Sequence, residues 1–307
     1  MTKVLLATEK PFAASAVAEI RKVVEDAGYE LALLEKYTDV TQFHAAVADA
    51  DALIIRSDLV TPEVLDAAKK LKIVVRAGAG YDNVDLAAAT AHGVVVENTP
   101  GQNANAVAEL ALGMMVYLAR GLFNGKSGYE LKGKKLGLHA YGAVARRVGE
   151  IAQGFGMDVY AYDPYISKEV MEKGHVTPVD SLEALYSTCH YVSLHIPATA
   201  ETKGSVNYGL LSTMPAPAVL VNTARKEVVN EADLLKMFEN RKDFAYIADV
   251  APDCAAEIAE KFAGRYYFTP KKMGAQTEEA NVNAGIAAAV QIHKFFANGD
   301  KTFQVNK

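Results

Sequence analysis

The sequence predicts an α/β protein built from two doubly wound parallel-sheet domains in tandem. Three observations indicate this class: the short apolar runs are continuous, segments with a helical period separate them, and a long apolar segment at residues 103–121 interrupts the series. Continuous apolar strands are typical of parallel sheets that helices cover on both faces. A chain of 307 residues is long enough for two domains that each bury a core.

The first series of strands and helices precedes the apolar segment. Its predicted strands are KVLLAT, ELALLEKY, ALIIRS, KIVVRAG and GVVVENT. The helical patterns between them are AASAVAEIRKVVEDAG, QFHAAVADA, TPEVLDAAKK and NVDLAAATAHG. Because a helix separates each strand from the next, the strands are expected to run parallel in one layer.

The second series follows the apolar segment and repeats the alternation. Its predicted strands are KKLGLHAY, DVYAYDP, HVTPV, YVSLHIP, AVLVNT, AYIADVA and RYYFTP. Helices such as VARRVGEIAQGFG, SLEALYST and NEADLLKMFEN lie between them. This series predicts a second α/β domain after the first.

Two long apolar helices are expected to bridge the domains. NANAVAELALGMMVYLARG is too hydrophobic to lie alone on a surface, and EEANVNAGIAAAVQIHKFFANG closes the chain with no strand after it. The second helix can therefore return to the first domain. We predict a discontinuous domain of residues 1–98 plus 282–307 and a central domain of residues 99–281. Two crossings between domains imply a hinge with a ligand cleft.

Composition narrows the classes of partner. A formal net charge of −5 and a pI near 5.9 argue against nucleic acid or an anionic membrane, since both require a large basic surface. Two isolated cysteines, Cys189 and Cys254, are too few for a disulfide scaffold or a structural zinc site. No signal-peptide core or membrane span is visible in the sequence. We expect a cytoplasmic protein with a small-molecule ligand and no metal.

The stretch AYGAVARRV stands where a dinucleotide-binding loop would follow its strand. Ala140, Gly142 and Ala145 occupy the three glycine positions of G-x-G-x-x-G, and only the second is glycine. Asp163 follows the next strand, 23 residues after Ala140, at the spacing of a carboxylate that binds a ribose diol. Asp at this position favours NAD over NADP, because a 2′-phosphate would meet a like charge. The alternative is an ordinary α/β loop with a capping Asp.

Several motifs together resemble the D-isomer-specific 2-hydroxyacid dehydrogenases. They are RSDLVTPEVLDAAKKLKIVVRAGAGYDNVDLAAA, NTPGQNANAVAELALGMM, VSLHIPATAETKG and VNTARKEVV, followed by IADV and GAQTEEAN. The resemblance implies a flavodoxin-like substrate domain made from both chain ends and a central Rossmann domain that binds NAD. The stretch around Lys272 resembles the short-chain phosphoglycerate dehydrogenases of this family, which have Lys where other members have a catalytic His.

The resemblance also assigns roles to residues. Arg225, which follows N-T-A, would bind the substrate carboxylate as an always-charged fork at the ligand-binding edge of the sheet. Asp249 would face the nicotinamide carboxamide, while His195 is as well explained as a buried core histidine. The cofactor-binding residues implied are Ala140, Tyr141, Gly142, Ala143, Val144, Asp163, His195, Pro197, Thr202, Thr223, Asp249 and Gly274.

The family's catalytic Glu and His are both replaced here. The Glu position falls on Cys254, with Asp253 beside it, and the His position of T-P-H-x-G falls on Lys272, with Lys271 as one extra residue. A nearby carboxylate raises the pKa of either base, which helps an imidazole near about 6.5 and harms an ammonium near about 10.4. Loss of the Glu therefore suits Lys272 as the acid/base, with its pKa lowered by Arg225 and partial burial. Lys271 remains the alternative.

Two arginines at strand ends predict a phosphorylated substrate. Arg56 and Arg76 follow neighbouring strands, and their guanidinium forks match a phosphate better than an alkyl group. Solvated arginines are the simpler alternative. Lys226, where the family usually has Gly, either adds charge near the phosphate or decorates a loop. The predicted substrate-binding residues are Arg56, Ser57, Arg76, Gly78, Ala79 and Gly80.

These features predict NAD-dependent oxidation of 3-phospho-D-glycerate to 3-phosphohydroxypyruvate, the entry step of serine biosynthesis. A hydroxypyruvate or glyoxylate reductase and a D-lactate-type dehydrogenase are the nearest alternatives. A catalytically silent NAD-binding sensor is an alternative of another class, motivated by Ala140 and the missing Glu and His. The apolar helix at residues 105–119 further predicts a homodimer, although ARGLFNGKSGYELKG is shorter than the family's usual dimer arm.

Overall fold

A computed structural model describes residues 1–306 and divides them into two compact units. One unit joins Met1–Asn103 with the C-terminal segment that begins at Gln276, and the other is Ala104–Ala275. The chain passes between the units a few residues away from the boundaries predicted at 98/99 and 281/282. Both passages lie at or just before the start of a long helix.

The first unit contains one five-stranded parallel sheet. Its strands follow the order β2-β1-β3-β4-β5, with the change of direction between β1 and β3, where ligands gather in such folds. The strands are β1 (Lys3–Thr8), β2 (Glu30–Glu35), β3 (Ala52–Ile55), β4 (Ile73–Arg76) and β5 (Val95–Asn98). The helices are α1 (Ala14–Asp26), α2 (Val40–Val47), α3 (Pro62–Ala67), α4 (Leu86–Ala91) and α12 (Glu278–Asn298).

Helix α12 completes one face of this sheet. It packs on α1 and on strands β3 and β4, and it presents small residues such as Ala284 and Ala288 to them. The Thr277 side chain accepts the N–H of Ala280 at 3.1 Å and caps the start of the helix. Gly299 ends it with φ 72°, a left-handed conformation that glycine adopts without cost.

The second unit contains a seven-stranded parallel sheet. Its order is β12-β11-β10-β9-β6-β7-β8, so the change of direction falls between β6 and β9. The strands are β6 (Lys135–His139), β7 (Asp158–Tyr162), β8 (Thr177–Pro178), β9 (Tyr191–Leu194), β10 (Ala218–Asn222), β11 (Phe244–Ala248) and β12 (Tyr266–Phe268). The helices are α5 (Ala104–Ala119), α6 (Ala143–Gly154), α7 (Lys168–Lys173), α8 (Leu182–Thr188), α9 (Tyr208–Leu211), α10 (Glu231–Asn240) and α11 (Ala255–Lys261).

Two apolar layers cover the second sheet. Helix α5 packs against α6 and the β10–β12 strands and buries residues such as Leu112 and Met115. The opposite face packs on α8, α10 and α11 through residues such as Leu185, Phe238 and Ile258. The predicted class of two doubly wound parallel-sheet units is therefore confirmed. Within residues 1–306, no helix has the length and apolar character needed to span a bilayer.

Candidate active site

The loop between β6 and α6 has the shape of a dinucleotide-binding turn. Ala140 adopts φ 78°, the left-handed conformation for which glycine is usual. At Gly142 a Cβ would meet nothing within 4 Å, so the backbone borders open space before the first turn of α6. Ala145 is fully buried, which allows α6 to lie close to the sheet. The residues present therefore fit a pyrophosphate at the positive end of a helix of 12 residues.

Asp163 is bound to this loop. Its Oδ2 accepts the N–H of Tyr141 and its Oδ1 accepts the N–H of Tyr165, both at 2.8 Å. A carboxylate oxygen can accept two hydrogen bonds, so each can also receive a ribose hydroxyl. The arrangement suits the predicted ribose contact, and the side chain of Tyr165 beside it is 93% exposed.

Buried polar atoms without partners lie beyond the ends of β9 and β10. Among the described residues, His195 Nε2 and Thr223 Oγ1 are buried and accept or donate no hydrogen bond. The strand register pairs Leu194 with Asn222, so these two residues follow neighbouring strands at the same level. Thr202 Oγ1 donates to Pro197 O at 2.5 Å and closes the loop after β9. Orphaned polar atoms at this edge are expected where a ligand supplies the partner.

A second histidine, which sequence reasoning did not select, lies beside His195. Burial, and then the proximity of His139, lower the pKa of His195 to about 3. Burial likewise lowers the pKa of His139 to about 4, and its Nδ1 lies 3.1 Å from the hydroxyl oxygen of Tyr186. Both imidazoles are therefore neutral at physiological pH, so neither can act as the protonated imidazole of a His–carboxylate pair. The position of His139 at the end of β6 was the only signal available in the sequence.

Asn222 shapes the turn that presents Arg225. Its Nδ2 donates to Arg225 O at 2.9 Å, and its Oδ1 accepts the N–H of Ala224 at 2.9 Å. The Tyr246 hydroxyl, 3.1 Å from Asn222 Nδ2, holds the amide from the neighbouring strand. Arg225 is half-buried, and its Nη1 donates to Ala224 O at 3.0 Å. The guanidinium thus starts from a turn that is fixed by buried side chains.

The buried carboxylate of Asp249 holds the segment that carries the two lysines. Asp249 is 1% exposed, and its Oδ1 accepts the Thr269 hydroxyl at 3.0 Å and the N–H of Met273 at 2.9 Å. Its Oδ2 accepts the N–H of Gly274 at 2.8 Å. Lys271 and Lys272 lie between these contacts, and both side chains are exposed. Lys272 therefore lacks the partial burial that the sequence suggested as one cause of a lowered pKa.

The turn that replaces the family's Glu is anchored from two sides. Glu231, at the start of α10, accepts the N–H groups of Asp253 and Cys254 at 2.7 and 2.9 Å. The Lys226 ammonium forms an ion pair with the Asp253 carboxylate. Burial, followed by the Glu231 charge, raises the pKa of the Cys254 thiol to about 12. The Asp253 carboxylate is therefore already paired with Lys226, and the Cys254 thiol stays neutral. Lys226 therefore does more than decorate a loop, and sequence reasoning missed Glu231.

In the first unit, Arg56 joins three segments. Its Nη1 donates to Lys10 O and Pro11 O at 3.1 Å each, and its Nη2 donates to Asn281 Oδ1 at 2.6 Å. Its guanidinium carbon lies 5.0 Å from the centre of the Phe12 ring. These contacts give Arg56 a structural role, and a phosphate would have to replace some of them.

Arg76 lies against the glycine-rich loop that follows β4. Its Nε donates to Arg56 O at 2.9 Å, and a Cβ at Gly78 would lie 1.5 Å from its Nη1. Gly78 has φ 147°, so a side chain there would be both strained and blocked. Asn98 Nδ2 donates to Ala79 O at 2.6 Å and fixes the next residue. The structure thus brings Arg76 together with the predicted loop residues 78 and 79.

The chain is similar to known proteins over most of its length. The family model described as the NAD-binding domain of D-isomer-specific 2-hydroxyacid dehydrogenases matches residues 113–265. A D-3-phosphoglycerate dehydrogenase of Methanocaldococcus jannaschii is 34% identical over 262 residues, which cover 81% of this chain and 50% of that protein. The chain spans about half the length of this protein and of two other D-3-phosphoglycerate dehydrogenases that it matches.

Two further relatives match over most of their length. A hydroxypyruvate reductase of Thermotoga maritima is 33% identical, with 86% of this chain and 91% of that protein covered. The NAD⁺-bound crystal structure of 3-phosphoglycerate dehydrogenase from Entamoeba histolytica is 46% identical and superposes with a TM-score of 0.87. That match covers 100% of this chain and 99% of the other.

Proposed function

The chain belongs to the D-isomer-specific 2-hydroxyacid dehydrogenase family, and we propose that it oxidises 3-phospho-D-glycerate to 3-phosphohydroxypyruvate with NAD. The observation that carries this proposal is the full-length likeness, at 46% identity, to a protein described as a 3-phosphoglycerate dehydrogenase. In this account the enzyme supplies the entry step of serine synthesis. The contacts described above support the following roles for its residues.

The cofactor is assigned to the second unit, whose sequence matches the family's NAD-binding domain. When bound, the nicotinamide supplies the acceptor for the hydride that leaves C2 of the substrate. The N-terminus of α6 binds the pyrophosphate, and Asp163 accepts the ribose hydroxyls. His195 Nε2 and Thr223 Oγ1, which are buried without partners in the described residues, line the cofactor next to these groups.

Arg225 binds the substrate carboxylate. A guanidinium offers two parallel N–H donors to a carboxylate, in a planar fork that matches the carboxylate's geometry. The fixed turn at Asn222 limits the freedom of the Arg225 backbone, which reduces the entropy lost when the substrate binds. The same cation stabilises the negative charge on the carbonyl oxygen when the reaction runs towards reduction.

Lys272 transfers the proton of the C2 hydroxyl. As a neutral amine it removes this proton while hydride leaves the same carbon, and as an ammonium it returns the proton in the reverse reaction. The pairing of Asp253 with Lys226 supports the assignment, because the ammonium offsets the charge of a carboxylate that would otherwise raise the pKa of a nearby lysine. Because Lys272 is exposed, its pKa is lowered by the charge of Arg225 and by desolvation when the substrate binds.

The substrate phosphate is assigned to Arg76 and to the glycine-rich loop after it. Loop backbone N–H groups and a guanidinium are typical phosphate ligands. Arg56 is the second candidate, and it binds phosphate by exchanging its contact with Asn281. A homodimer and a cytoplasmic location stay predictions from the sequence, as do the cofactor contacts of Pro197 and Asp249.

A second function is favoured by one observation. The hydroxypyruvate reductase of Thermotoga maritima is matched over 91% of its length, whereas the phosphoglycerate dehydrogenase of Methanocaldococcus jannaschii is matched over 50%. Hydroxypyruvate lacks the phosphate that Arg76 would bind. The two functions therefore differ in whether a phosphorylated substrate is preferred.

Steady-state kinetics with matched substrates test the proposal. We expect kcat/KM for 3-phosphoglycerate to exceed that for D-glycerate at least about 100-fold, since phosphate contacts with charged donors are worth several hydrogen bonds. Arg76→Gln should remove most of this preference, whereas Lys70→Gln, an exposed lysine of the same unit, should not. Equal use of phosphorylated and unphosphorylated acids would favour the reductase. NAD binding without reduction of NAD by any 2-hydroxy acid would favour a silent sensor.

A further inference from the structure

One buried carboxylate closes the loop that contains both lysines. Thr269 and Asp249 follow the ends of neighbouring strands, and the N–H of Thr269 donates to Ala248 O at 3.1 Å. The Thr269 hydroxyl then reaches Asp249 twice, at its main-chain oxygen (2.8 Å) and at Oδ1 (3.0 Å). Four residues later the chain returns to the same carboxylate through the N–H groups of Met273 and Gly274.

Gly274 is needed for this return. A Cβ at Gly274 would lie 2.9 Å from Asp249 Oδ2 and 3.3 Å from a methyl carbon of Val107, both closer than ordinary contacts. Glycine therefore allows its amide to approach a carboxylate that is itself packed in the core. Hydrogen bonds from N–H groups to a buried carboxylate are stronger than hydrogen bonds between neutral groups, because no water solvates the buried charge.

The two anchors confine the extra residue of this loop. The family pattern T-P-H-x-G has five residues, and the corresponding stretch Thr269–Gly274 has six. Since both ends are held by Asp249, the additional residue must be accommodated in Pro270, Lys271 and Lys272. Lys272 is bonded directly to Met273, whose N–H Asp249 accepts, whereas Lys271 lies two residues from Met273 and two from Thr269. Asp249 thus constrains the two lysines unequally.

We propose that Asp249 is a positioning residue that orders Lys272 and excludes Lys271 from the proton transfer. This inference rests on the proposed role of a lysine as the acid/base. It is compatible with a cofactor contact at Asp249, because Oδ2 accepts one hydrogen bond in the structure and can accept a second.

Thr269 separates the positioning role from cofactor binding. Thr269→Val keeps the shape of the side chain and removes the hydroxyl that reaches Asp249, whereas Thr269→Ser keeps the hydroxyl. Thr213→Val is a matched control, because it removes a hydroxyl that donates to Leu210 O at 2.7 Å elsewhere in the same unit. Asp249→Asn is the direct variant, in which the amide NH₂ group must face one of the donors that the carboxylate accepts.

Two measurements decide the matter, namely amide hydrogen exchange at residues 273 and 274 and the pH dependence of kcat. We expect Asp249→Asn and Thr269→Val to accelerate exchange about 10-fold or more, to lower kcat by a similar factor, and to displace the limb of the pH profile that reports the lysine. Thr269→Ser should restore both, and the NAD dissociation constant of Thr269→Val should stay near that of the wild type.

The hydrogen-exchange and kinetic measurements test different parts of the proposal. Unchanged exchange in Asp249→Asn would overturn the anchor, whatever reaction the protein catalyses. Faster exchange with an unchanged kcat profile would overturn the positioning role while leaving the proposed function intact. Absence of any dehydrogenase activity in the wild type would remove the proposed function, and the exchange data would still report on the anchor.

Discussion

Asp163 Oδ2 accepts the backbone N–H of Tyr141 at 2.8 Å, so the carboxylate after β7 is bound directly to the loop after β6. This contact fixes a negative charge where the adenosine ribose of a dinucleotide lies in Rossmann folds. The same oxygen pair also accepts the N–H of Tyr165. The carboxylate cannot turn away from a 2′-phosphate without breaking both contacts, and it should exclude NADP more strongly than a mobile side chain would.

Asp163→Asn should weaken the preference for NAD over NADP. The amide removes the charge but keeps the shape of the side chain, so we expect the ratio of kcat/KM values for NAD and NADP to fall about 10- to 100-fold. The measurement is steady-state kinetics with both cofactors. Asp180→Asn, which removes an exposed carboxylate paired with Lys168 in the same unit, is the control. An unchanged ratio in Asp163→Asn would exclude the assigned ribose contact.

Ala140→Gly should stabilise the protein. Ala140 adopts φ 78°, which costs a residue with a Cβ about 1–2 kcal/mol. Glycine removes this strain, but the greater conformational freedom that it gives the unfolded chain lowers the free energy of unfolding by about 0.4–1 kcal/mol. We expect a net gain of about 0.5–1 kcal/mol in the free energy of unfolding, measured by denaturant titration. Ala143→Gly, at the first residue of α6, relieves no such strain and should give no gain. A loss of stability in Ala140→Gly would contradict the strain.

Glu97 should make stability fall as pH rises. It is 2% exposed, its Oε1 has no hydrogen-bond partner among the described residues, and burial, followed by the Asp300 charge, raises its pKa from 4.5 to about 7. A carboxyl group whose pKa is raised in the folded state contributes stability that is fully present below pH 4.5. This contribution is lost as the pH rises through about 7.

The isosteric variant Glu97→Gln tests this dependence. At pH 8 we expect it to raise the free energy of unfolding by about 1–2 kcal/mol, after allowing for solvent screening. At pH 4.5 and below the gain should vanish. Thermal unfolding across this range is the measurement, with the exposed Asp49→Asn of the same unit as control. A gain that is independent of pH would show that ionisation of Glu97 is not the cause.

Cys254 should be unreactive towards thiol reagents in the native protein. Its pKa is raised to about 12, and the Glu231 charge contributes to that shift, so little thiolate exists at pH 8. Glu231→Ala should raise the rate of modification of Cys254 about 10-fold or more, because it removes this charge and two anchors of the turn.

Two controls accompany this measurement. The buried thiol of Cys189, whose pKa burial also raises to about 12, should not change in Glu231→Ala. Glu239→Ala, on the same helix α10 and exposed, should leave both thiols as in the wild type. Rapid modification of Cys254 in the native wild type would contradict the account of this turn.

The sequence predicted the secondary structure of both units because the determining signal is local. Most of the strands are short runs of mainly apolar residues, β8 (Thr177–Pro178) being an exception, and the ends of β4 and β10 carry Arg76 and the turn to Arg225. Ligand-binding edges follow from parallel topology, so these positions could be chosen without coordinates. The short helices α7, α9 and α11 were not singled out, although α3, α4 and α8, which have six or seven residues, were.

Contacts between distant residues could not be predicted in the same way. Asp249 binds backbone groups 24 and 25 residues away, and a backbone N–H carries no signature in the sequence. Glu231 likewise binds the backbone of Asp253 and Cys254 across more than 20 residues. Arg56 was expected to contact a phosphate, and only the structure shows that its donors already hold Asn281 and the loop at Lys10.

The pH dependence of kcat with 3-phosphoglycerate, compared among the wild type, Lys272→Ala, Lys272→His and Lys271→Ala, decides which lysine transfers the proton. We expect Lys272→Ala to lose about 10²- to 10⁴-fold in kcat, the usual contribution of a general base, and Lys271→Ala to stay near the wild type. Lys272→His should recover part of the activity, with the rising limb of the profile, which reports deprotonation of the base, moved down towards about pH 6.5. Loss of activity in Lys271→Ala with retention in Lys272→Ala would reverse the assignment, and full activity in both would exclude a lysine as the acid/base.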